Sequence, residues 1–411
     1  MTQTAARPPM LTMAQALDAL MAGVRPITDS ETVDTLQANG RVLAAGVTSA
    51  LRVPPADNTS MDGYVMRAAD VPAPGTRLPV SQRIPAGHVG TELAPGTAAR
   101  IFTGGLIPPG ADAVVMQEQC QADGDAVIVN HVPASGEWIR RAGEDIEAGS
   151  EILPAGTRLS PQALGLAASV GQAKLDVVRR VRVAVFFTGD ELAMPGEPLK
   201  PGAIYNSNRF TLRGLLENLG CEVADFGIVP DTLAATRDTL RRAAEGNDLI
   251  ITSGGVSVGE EDHIRPAVTA EGRLDLWQIA IKPGKPLAFG QVANGTELPA
   301  FFLGLPGNPV SSFVTFLLFV RPFILRLQGV ADVTPRRLPL RADFDLSRGD
   351  RRNEFLRARI NDAGGLDLFP NQSSGVLTST VWGDGLIDNP PNQTIQRGDV
   401  VQFIPFASLL A

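Results

Sequence analysis

Cysteine and histidine are scarce in this chain of 411 residues, which contains two Cys and three His. Cys120 and Cys221 lie far apart, and neither belongs to a CxxC or Cys/His pattern. The spacing therefore argues against a structural zinc site and indicates two free thiols in a reducing compartment. With only His88, His131 and His263, a mechanism built on imidazole bases or ligands has little to draw on. Candidate chemistry rests on carboxylates, lysines and backbone amides.

A basic surplus and a long hydrophobic run are also missing. The formal net charge is -8 and no dense Lys/Arg run occurs, which argues against a general nucleic-acid surface. The longest apolar run, Phe313 to Val320, is shorter than a membrane span, and the N-terminus "MTQTAARPPML" has no apolar leader segment. We expect a cytoplasmic protein with neither a membrane nor a nucleic-acid partner. Any anionic ligand must be held by a local cluster.

The length predicts several domains, because 411 residues exceed one ordinary hydrophobic core. Helical spacing after Thr12 predicts an N-terminal helix, a second helix is expected to end near Gly40, and Ser160-Pro161 begins another that Gly171 closes. Short β-like runs follow Leu51 and return after residue 331. We predict a discontinuous helical and β linker domain at 1–53 plus 144–180, a small β-rich domain at 54–143, an α/β domain at 181–330 and a C-terminal β-barrel-like domain at 331–411.

The segment from Val181 to Gly329 alternates strand-like and helix-like runs. Such alternation predicts a mostly parallel sheet with helices on both faces, a three-layer α/β domain. Ligands of these sheets lie outside the carboxyl ends of the strands. Here those ends carry "TGDE", "PD", "TSGGVSVGEED", "IKPGK" and "LPGNP". The unusual residues thus fall where a ligand is expected.

The stretch "TSGGVSVGEEDHIRP" resembles an anion cradle with acids on its rim. Glycines let the backbone approach an anion, and the following helix start adds a favourable partial charge of roughly 0.3–1 kcal/mol. The candidate binding residues are Ser253, Gly254, Gly255 and Ser257. Taken alone, the stretch is equally compatible with an ordinary glycine turn between a strand and a helix.

Two neighbouring motifs favour the anion site. In "IKPGKP", Lys282 and Lys285 flank a Pro-Gly turn, and two ammonium groups at one sheet end need an anion or nearby carboxylates. In "LPGNPVSS", Pro306 precedes a glycine that permits close approach, and Ser311 offers a hydroxyl at a helix start. The alternatives are a solvated hairpin turn for the lysines and ordinary capping of a buried helix for the second motif.

The candidate acids are Asp190 and Glu191 in "TGDEL", Asp231 in "VPD" and Asp262 in "EED". Asp231 is also a good helix N-cap, so a purely structural role is an alternative. Carboxylates near a phosphate need a hard cation between them, and Mg²⁺ takes one or two carboxylates plus phosphate oxygens and water. We expect a magnesium site that draws on Asp190, Glu191 and Asp262.

Eight motifs in order, "DNTSMDGYVMR", "RIFTGG", "GADAVVMQE", "RRAGEDI", "TGDEL", "SGGVSVGEEDH", "IKPGKP" and "LPGNPVS", resemble the molybdopterin molybdenumtransferase family, the bacterial MoeA proteins and the related domain of gephyrin. The resemblance implies an elongated homodimer of four-domain subunits. It also implies that adenylylated molybdopterin and molybdate react to give molybdenum cofactor, with AMP released and Mg²⁺ assisting. Molybdopterin adenylyltransferase and molybdoenzyme chaperones are the implied protein partners.

The resemblance assigns roles residue by residue. It implies catalytic roles for Asp62 in "MDG" and Thr103 in "FTGG", together with Glu191, Asp231 and Asp262. It adds Arg140 and Asp145 of "RRAGEDI" near the cleft, and Arg352 of "RRNEF" and Ser374 of "NQSSG" in the last domain. The last two motifs match the family pattern only approximately.

Two alternatives remain at this point. A molybdopterin adenylyltransferase resembles the Val181 to Gly329 segment, but the flanking "MDGY" and "FTGG" motifs favour metal insertion. A non-catalytic dimeric scaffold would have the same fold, but it would not need Asp62, Asp262 and both lysines.

Overall fold

The computed structural model describes residues 10–255 and 263–410. The chain divides into two compact units. The large unit comprises Met1–Thr32, Gly40–Ala44 and Asp176–Ala411, and the small unit comprises Val33–Asn39 and Ala45–Leu175. The finer division into four domains stays a prediction.

The N-terminal helix, Met13–Ala22, begins as the sequence predicts. The side chain of Thr12 accepts a hydrogen bond from the backbone of Gln15, and the Gln15 side chain accepts one from Thr12, which completes a capping box. Ala16 and Leu20 are fully buried on one face of this helix. The expected second helix is wrong, because Ser30–Asp34 is a strand followed by a single 3₁₀ turn, Thr35–Gln37. The β-branched pair in "SETVD" favours extended backbone there.

The large unit is organised around a six-stranded sheet. Its order is Glu222–Val229, Arg182–Thr188, Leu249–Ser253, Ala300–Leu305, Pro286–Val292 and Gly272–Gln278. The first four strands are parallel, and the last two pair antiparallel. The short connections around the last two strands leave no room for a helical crossover, which parallel pairing requires. The predicted mostly parallel sheet is confirmed.

Both faces of this sheet are covered by helices. Along Arg182–Thr188, Val183, Val185 and Phe187 belong to one hydrophobic core, whereas Ala184 and Phe186 belong to another. Successive strand residues point to opposite faces, so a strand without a polar face is buried on both sides. The three-layer arrangement predicted from the sequence is therefore confirmed. Its helices are Ser207–Asn218, Leu233–Ala244, Ile264–Glu271, Pro309–Thr315 and Arg321–Leu327.

Asp231 does not cap the helix that follows it. The helix Leu233–Ala244 begins after Thr232, whose side chain accepts a hydrogen bond from the backbone N–H of Ala235. The N-cap of this helix is therefore Thr232 and not Asp231.

The helical run Pro309–Leu327 includes a π-helical turn, Phe316–Val320. By length and hydropathy alone it would pass for a membrane span, yet 89% of the apolar window is buried inside the protein. It lies against the core of the large unit, where Phe319 and Phe323 are fully buried. A core helix accounts for its composition.

The C-terminal residues of the large unit form a second six-stranded sheet. Its main path is Ile281–Lys282, Asn353–Ile360, Gly385–Asn389, Val400–Pro405 and Leu338–Arg341, with Leu366–Leu368 beside Asn353–Ile360. Short helices Thr378–Trp382 and Ala407–Leu410 accompany it. Its first strand comes from the "IKPGK" segment and pairs parallel, with Lys282 opposite Glu354. That register places Lys282 directly beside Glu354.

The small unit contains its own six-stranded sheet. The strand order is Ala113–Met116, Gly63–Met66, Ala98–Ile101, Thr76–Ile84, Ala126–Val129 and Cys120–Asp123. The unit also has two separate two-stranded sheets, which pair Ile139–Arg140 with Asn58–Thr59 and Glu151–Leu153 with Val47–Thr48. Its helix Pro161–Ser169 starts after Ser160, whose side chain accepts from the Ala163 N–H, as predicted.

Candidate functional site

A cavity of about 810 Å³ opens at the carboxyl ends of the parallel strands in the large unit. Five sequence motifs meet around it. The lining includes Glu191, Asp231, Ser253, Gly254, Gly255, Lys282, Lys285, Pro306, Ser311, Arg352 and Ser374, all of which the sequence had singled out. This is the edge at which ligands of such sheets lie.

In the glycine cradle, the backbone of Gly254 passes close to the backbone of Thr188. Gly254 has φ +101°, and a Cβ there would lie 2.9 Å from the carbonyl oxygen of Thr188. Only glycine fits this combination of space and dihedral angle. Gly255 also has a positive φ, of +64°. Ser257 and Asp262 lie outside the described residues.

Ser253 is only 3% exposed and connects the cradle to the "LPGNP" loop. Its hydroxyl donates to the carbonyl of Pro306 at 3.0 Å and accepts from Nδ2 of Asn208 at 2.8 Å. The same amide donates to the carbonyl of Gly307 at 2.7 Å. The Ser253 side chain is therefore a bridge within the cavity wall.

The two lysines of "IKPGK" differ in their surroundings. Nζ of Lys282 lies 2.9 Å from Oε1 of Glu354 and 3.4 Å from Oδ2 of Asp350. Burial opposes the charge, but the hydrogen bonds and charges of these two carboxylates hold the pKa of Lys282 above its usual value. Lys285 lines the same cavity, and its ammonium contacts no carboxylate among the residues that the structure describes. The sequence analysis predicted that the two lysines need nearby carboxylates or an anion. Glu354 and Asp350 are such carboxylates for Lys282.

Arg352 forms a two-pronged pair with Asp350. Nε and Nη2 of Arg352 each lie 3.0 Å from one carboxylate oxygen. The guanidinium holds the pKa of Asp350 well below its usual range, and the carboxylate raises that of Arg352. Bidentate pairing fixes the plane of the arginine. The side chain thus reaches the cavity in a defined orientation.

Ser311 and Ser374 both line the cavity, and a backbone hydrogen bond joins the two segments that carry them. The N–H of Val310 donates to the carbonyl of Ser374 at 3.0 Å, which ties the "NQSSG" loop to the start of the helix Pro309–Thr315. Ser311 is 5% exposed. Ser374 of "NQSSG", a motif that matches the family pattern only approximately, therefore lines the same cavity as the lysines.

A buried arginine supports the same loop. Arg357 is fully buried and donates to Oγ of Ser379 at 3.0 Å, to the carbonyl of Phe355 at 3.3 Å and to the carbonyl of Ser373 at 3.2 Å. Burial lowers the pKa of Arg357 to about 10. Gln372 holds the backbone of Arg357 through both its amide atoms. These contacts position the loop that presents Ser374.

The predicted acids are only partly brought together. Glu191 and Asp231 line the cavity, whereas the exposed Asp190 is not among its lining residues, and Asp262 lies outside the described residues. No group of three or more Asp, Glu, His or Cys suited to a metal occurs within 10–255 and 263–410. Two carboxylates nevertheless match the donor set that Mg²⁺ takes when phosphate oxygens and water complete its shell. Glu191 and Asp231 are the two carboxylate residues in the lining of the cavity that would supply such donors.

Four predicted residues belong to the small unit. Asp62 accepts from the backbone N–H of Thr103 at 2.7 Å and from its hydroxyl at 2.8 Å. The backbone bond and then the hydroxyl bond lower the pKa of Asp62. Arg140 ends a short strand opposite Asn58, and Asp145 is exposed in the loop that follows. None of the four lines the cavity of the large unit.

Sequence reasoning missed two asparagines of the cavity wall, Asn206 and Asn208. Asn206 is 2% exposed, and its Oδ1 caps the helix Ser207–Asn218 by accepting from the Arg209 N–H. Its Nδ2 has no hydrogen-bond partner among the described residues. The signal was present in the sequence, because "YNSN" opens a helix at the same sheet edge as "TGDE".

Fold and cavity together define a multidomain α/β protein with a polar cavity at the carboxyl edge of its central sheet. Three family models match in order: "MoeA N-terminal region (domain I and II)" at residues 11–171, "Probable molybdopterin binding domain" at 184–326 and "MoeA C-terminal region (domain IV)" at 339–406. Together they span most of the chain. The segment on which the adenylyltransferase alternative rests, Val181 to Gly329, coincides with the middle match, and the other two matches extend beyond it.

Curated relatives agree with the family models. A molybdopterin molybdenumtransferase of Haemophilus influenzae is 39% identical over 98% of this chain and 100% of its own length. One from Nostoc sp. is 38% identical over 89% of this chain and 86% of its own. A crystal structure of the molybdopterin biosynthesis MoeA protein from Pyrococcus horikoshii has a TM-score of 0.84 and 29% identity, covering 97% of this chain and 100% of that one. The likeness confirms the predicted fold class.

The chain belongs to the MoeA family of molybdopterin molybdenumtransferases. It is a transferase with a role in molybdenum cofactor biosynthesis.

Proposed function

We propose that this chain transfers molybdenum from molybdate to adenylylated molybdopterin, releases AMP and uses Mg²⁺ in doing so. The observation that carries the proposal is the cavity at the sheet edge, where a glycine cradle, two lysines, one arginine and two carboxylates share about 810 Å³. An anionic nucleotide and a metal oxoanion need such a mixture of backbone donors and fixed cations.

The cradle is suited to the phosphate part of the substrate. Ser253, Gly254 and Gly255 line the cavity at the end of the strand Leu249–Ser253. The N–H of Gly254 donates to the carbonyl of Leu305 at 3.1 Å, so among the described cradle residues it is Gly255 that can present its backbone N–H to an anion without the bulk of a Cβ. The Ser253 hydroxyl is held by hydrogen bonds to Pro306 and Asn208, so this part of the wall has a defined geometry.

The cations are suited to molybdate. Lys282 and Arg352 are oriented by Glu354 and Asp350, while Lys285 has no carboxylate partner within the described residues. Positive charges held in place lower the repulsion between an incoming dianion and an already anionic substrate. Ser311 and Ser374 add hydroxyl groups beside them.

Magnesium would be held by Glu191 and Asp231, and when bound it would neutralise charge on the anhydride oxygens. Glu191 and Asp231 lie in the turns that follow two neighbouring strands of the sheet, Arg182–Thr188 and Glu222–Val229. Asp262 remains a predicted ligand from its motif. Asp190 is a weaker candidate, because it does not line the cavity.

Roles for Asp62, Thr103, Arg140 and Asp145 follow from the family resemblance. The hydrogen bonds from Thr103 keep Asp62 ionised and oriented, which suits a carboxylate that acts on a bound substrate or metal. We further propose a cytoplasmic homodimer that receives its substrate from molybdopterin adenylyltransferase and contacts molybdoenzyme chaperones. A sizing column should then report twice the chain mass.

The deciding experiment incubates the full-length protein with adenylylated molybdopterin, Mg²⁺ and molybdate and follows AMP release. AMP release should depend on molybdate. Asp62→Ala and Asp262→Ala should keep the fold but lose AMP release, whereas Lys282→Ala should mainly raise the molybdate concentration needed. Asp238→Ala, which removes an exposed carboxylate from a surface helix, is the matched control. Normal turnover by both aspartate variants at saturating substrate would reject their roles.

A further inference from the structure

Asp62 and Thr103 meet because two antiparallel strands of the small unit bring them to one edge of its sheet. Asp62 directly precedes the strand Gly63–Met66, and Thr103 lies two residues after the strand Ala98–Ile101. Antiparallel pairing places the start of one strand beside the end of the other. The carboxylate accepts from the N–H and the hydroxyl of Thr103 at 2.7 and 2.8 Å. The geometry of this pair therefore depends on how the two strand ends are held.

Arg100 holds the strand end next to Asp62. Its Nη1 donates to the carbonyl of Gly63, the residue that follows Asp62, at 2.7 Å. Its Nη2 donates to Oε1 of Gln117 at 2.5 Å. The N–H of Gln117 in turn donates to the carbonyl of Asp62 at 3.1 Å. Arg100 and Gln117 together thus engage two successive carbonyl groups, those of Asp62 and Gly63.

The same guanidinium contacts the segment that carries Thr103. Its central carbon lies 4.6 Å from the ring centroid of Phe102, the residue before Thr103, and 5.1 Å from that of Tyr64. An aromatic ring attracts a cation above it, and the planar guanidinium stacks well on such a ring. One side chain therefore contacts the neighbours of both members of the pair.

The charge of Arg100 also acts on Asp62. The N–H of Thr103 and then its hydroxyl lower the pKa of Asp62, and the charge of Arg100 adds a smaller effect in the same direction. Both terminal nitrogens of Arg100 bond neutral oxygens, those of Gly63 and Gln117. Arg100 thus favours the ionised carboxylate without forming its hydrogen bonds.

We propose that Arg100 is a positioning residue for the transfer reaction, which holds Asp62 and Thr103 in the mutual orientation that catalysis needs. The inference rests on the proposed function, because the catalytic role of Asp62 is proposed there. Arg100 acts through the backbone of Gly63 and the ring of Phe102. A small displacement of a reacting group is costly in rate, because the bound geometry must lie close to that of the transition state. Loss of Arg100 should then lower kcat more than it raises KM.

The test compares two variants of the full-length protein. Arg100→Met keeps an unbranched side chain beside the Phe102 ring but removes the charge and both hydrogen bonds. Arg83→Met is the matched control, because the guanidinium carbon of Arg83 lies 4.5 Å from the centroid of the same ring. Arg83 is the register partner of Arg100 in the neighbouring strand, yet among the described residues no hydrogen bond joins it to Asp62 or Thr103.

In Arg100→Met, kcat for AMP release should fall about ten- to a hundredfold, while KM for molybdate and for adenylylated molybdopterin stays within about twofold of the wild type. In protein labelled with 15N-threonine, the amide proton of Thr103 should move upfield, because its hydrogen bond to the carboxylate weakens. Thermal unfolding checks that the variant folds. Arg83→Met should match the wild type in kcat, KM and the Thr103 signal.

Gln117→Ala tests the same contacts without removing a charge. Gln117 is exposed, so the variant should fold, and it removes one of the two hydrogen bonds of the guanidinium. Its kcat should fall about three- to tenfold. The double variant Arg100→Met/Gln117→Ala should be no slower than Arg100→Met alone, since residues that act as a unit are not additive. If Arg100→Met does not fold, Gln117→Ala decides through the same kcat and Thr103 signal.

The two measurements separate positioning from other roles. A raised KM with unchanged kcat in Arg100→Met would overturn the proposal, because Arg100 would then bind substrate. An unchanged Thr103 signal would overturn it whatever the rate, and it would leave the proposed function intact if the wild type releases AMP. If the wild type releases no AMP, the proposed function is rejected, and the Thr103 signal alone decides whether Arg100 positions the pair.

Discussion

The Nζ atom of Lys282 lies 2.9 Å from Oε1 of Glu354, a carboxylate 72 residues further along the chain. The two residues are also backbone partners in parallel strands. Glu354 is 3% exposed, and its second oxygen accepts from the Asp350 N–H. One buried carboxylate thus orients a lysine of the cavity and the backbone of the loop at Asp350.

Replacing Glu354 with Gln should destabilise the protein by about 1–3 kcal/mol, because a buried acceptor that serves two donors becomes a group with its own donors. The pKa of Lys282 should fall, since Glu354 raises it. Urea unfolding measures the first effect. Glu222→Gln removes an exposed partner of Arg182 and should stay within about 0.5 kcal/mol of the wild type. Equal stability losses in the two variants would contradict the role assigned to Glu354.

Gly284, in the "KPGK" turn, should not tolerate a side chain. Its φ is +109°, and a Cβ would lie 2.4 Å from Oγ1 of the buried Thr315. Gly295→Ala is the matched control, because Gly295 also has a positive φ, of +77°, but has open space around it. The control should cost about 1–2 kcal/mol from backbone strain alone.

Gly284→Ala should cost at least about 1 kcal/mol more than the control, since overpacking adds to strain. Thermal unfolding with calorimetry compares the two variants. A smaller loss for Gly284→Ala than for Gly295→Ala would show that the turn has room that the structure does not give it.

Thr103→Ala should raise the pKa of Asp62 part of the way to its ordinary value. The backbone N–H of Thr103 lowers that pKa first, and the hydroxyl adds to it, so removal of the hydroxyl leaves the first contribution. Because the pKa of Asp62 is lowered in the folded state, the stabilisation that this contact gives is fully present above the ordinary pKa of Asp. It is lost as the pH falls through the lowered pKa. Carboxyl NMR titration measures the change. Thr103→Ser, which keeps the hydroxyl, should titrate like the wild type, and identical curves for Thr103→Ala would refute the contact.

Cys120 should react slowly with alkylating agents in the folded protein. Burial raises the pKa of its thiol to about 11, and the thiolate is the reactive form. In a Cys221→Ala background, the rate of iodoacetamide labelling should keep rising between pH 8 and pH 10 and should be normal in urea. The same shift makes the fold less stable as pH rises from the ordinary thiol range toward about 11. A labelling rate that levels off near pH 8.5 would contradict the raised pKa of this half-buried thiol.

Much of the local structure was predictable from neighbouring residues. Thr12 and Ser160-Pro161 mark helix starts, and the runs "VRVAVFF" and "DLIIT" mark buried strands, because capping and side-chain periodicity depend on residues a few positions apart. The glycine cradle, the two lysines and the "LPGNP" loop were predictable as well. Each follows a strand of an alternating segment, and parallel strands bring their carboxyl ends to one edge.

Other features depended on contacts that no local pattern encodes. "SETVD" became a strand instead of a helix, and Thr232 replaced Asp231 as the cap, since short segments have near-equal preferences that their surroundings decide. Asn206 and Asn208 entered the cavity wall through the packing of a whole helix. The catalytic roles proposed for Asp62 and Asp262 rest on the family motifs.

The sequence by itself determined the alternation of the central sheet, the sheet edge at which the cavity opens and the family to which the motifs belong. Only the tertiary structure decided that Lys282 meets Glu354, that Arg352 is oriented by Asp350 and that Arg100 bonds the carbonyl of Gly63 and stacks on Phe102. The physical reason is that strand pairing and ion pairing across tens of residues are set by register and packing, which depend on the whole fold.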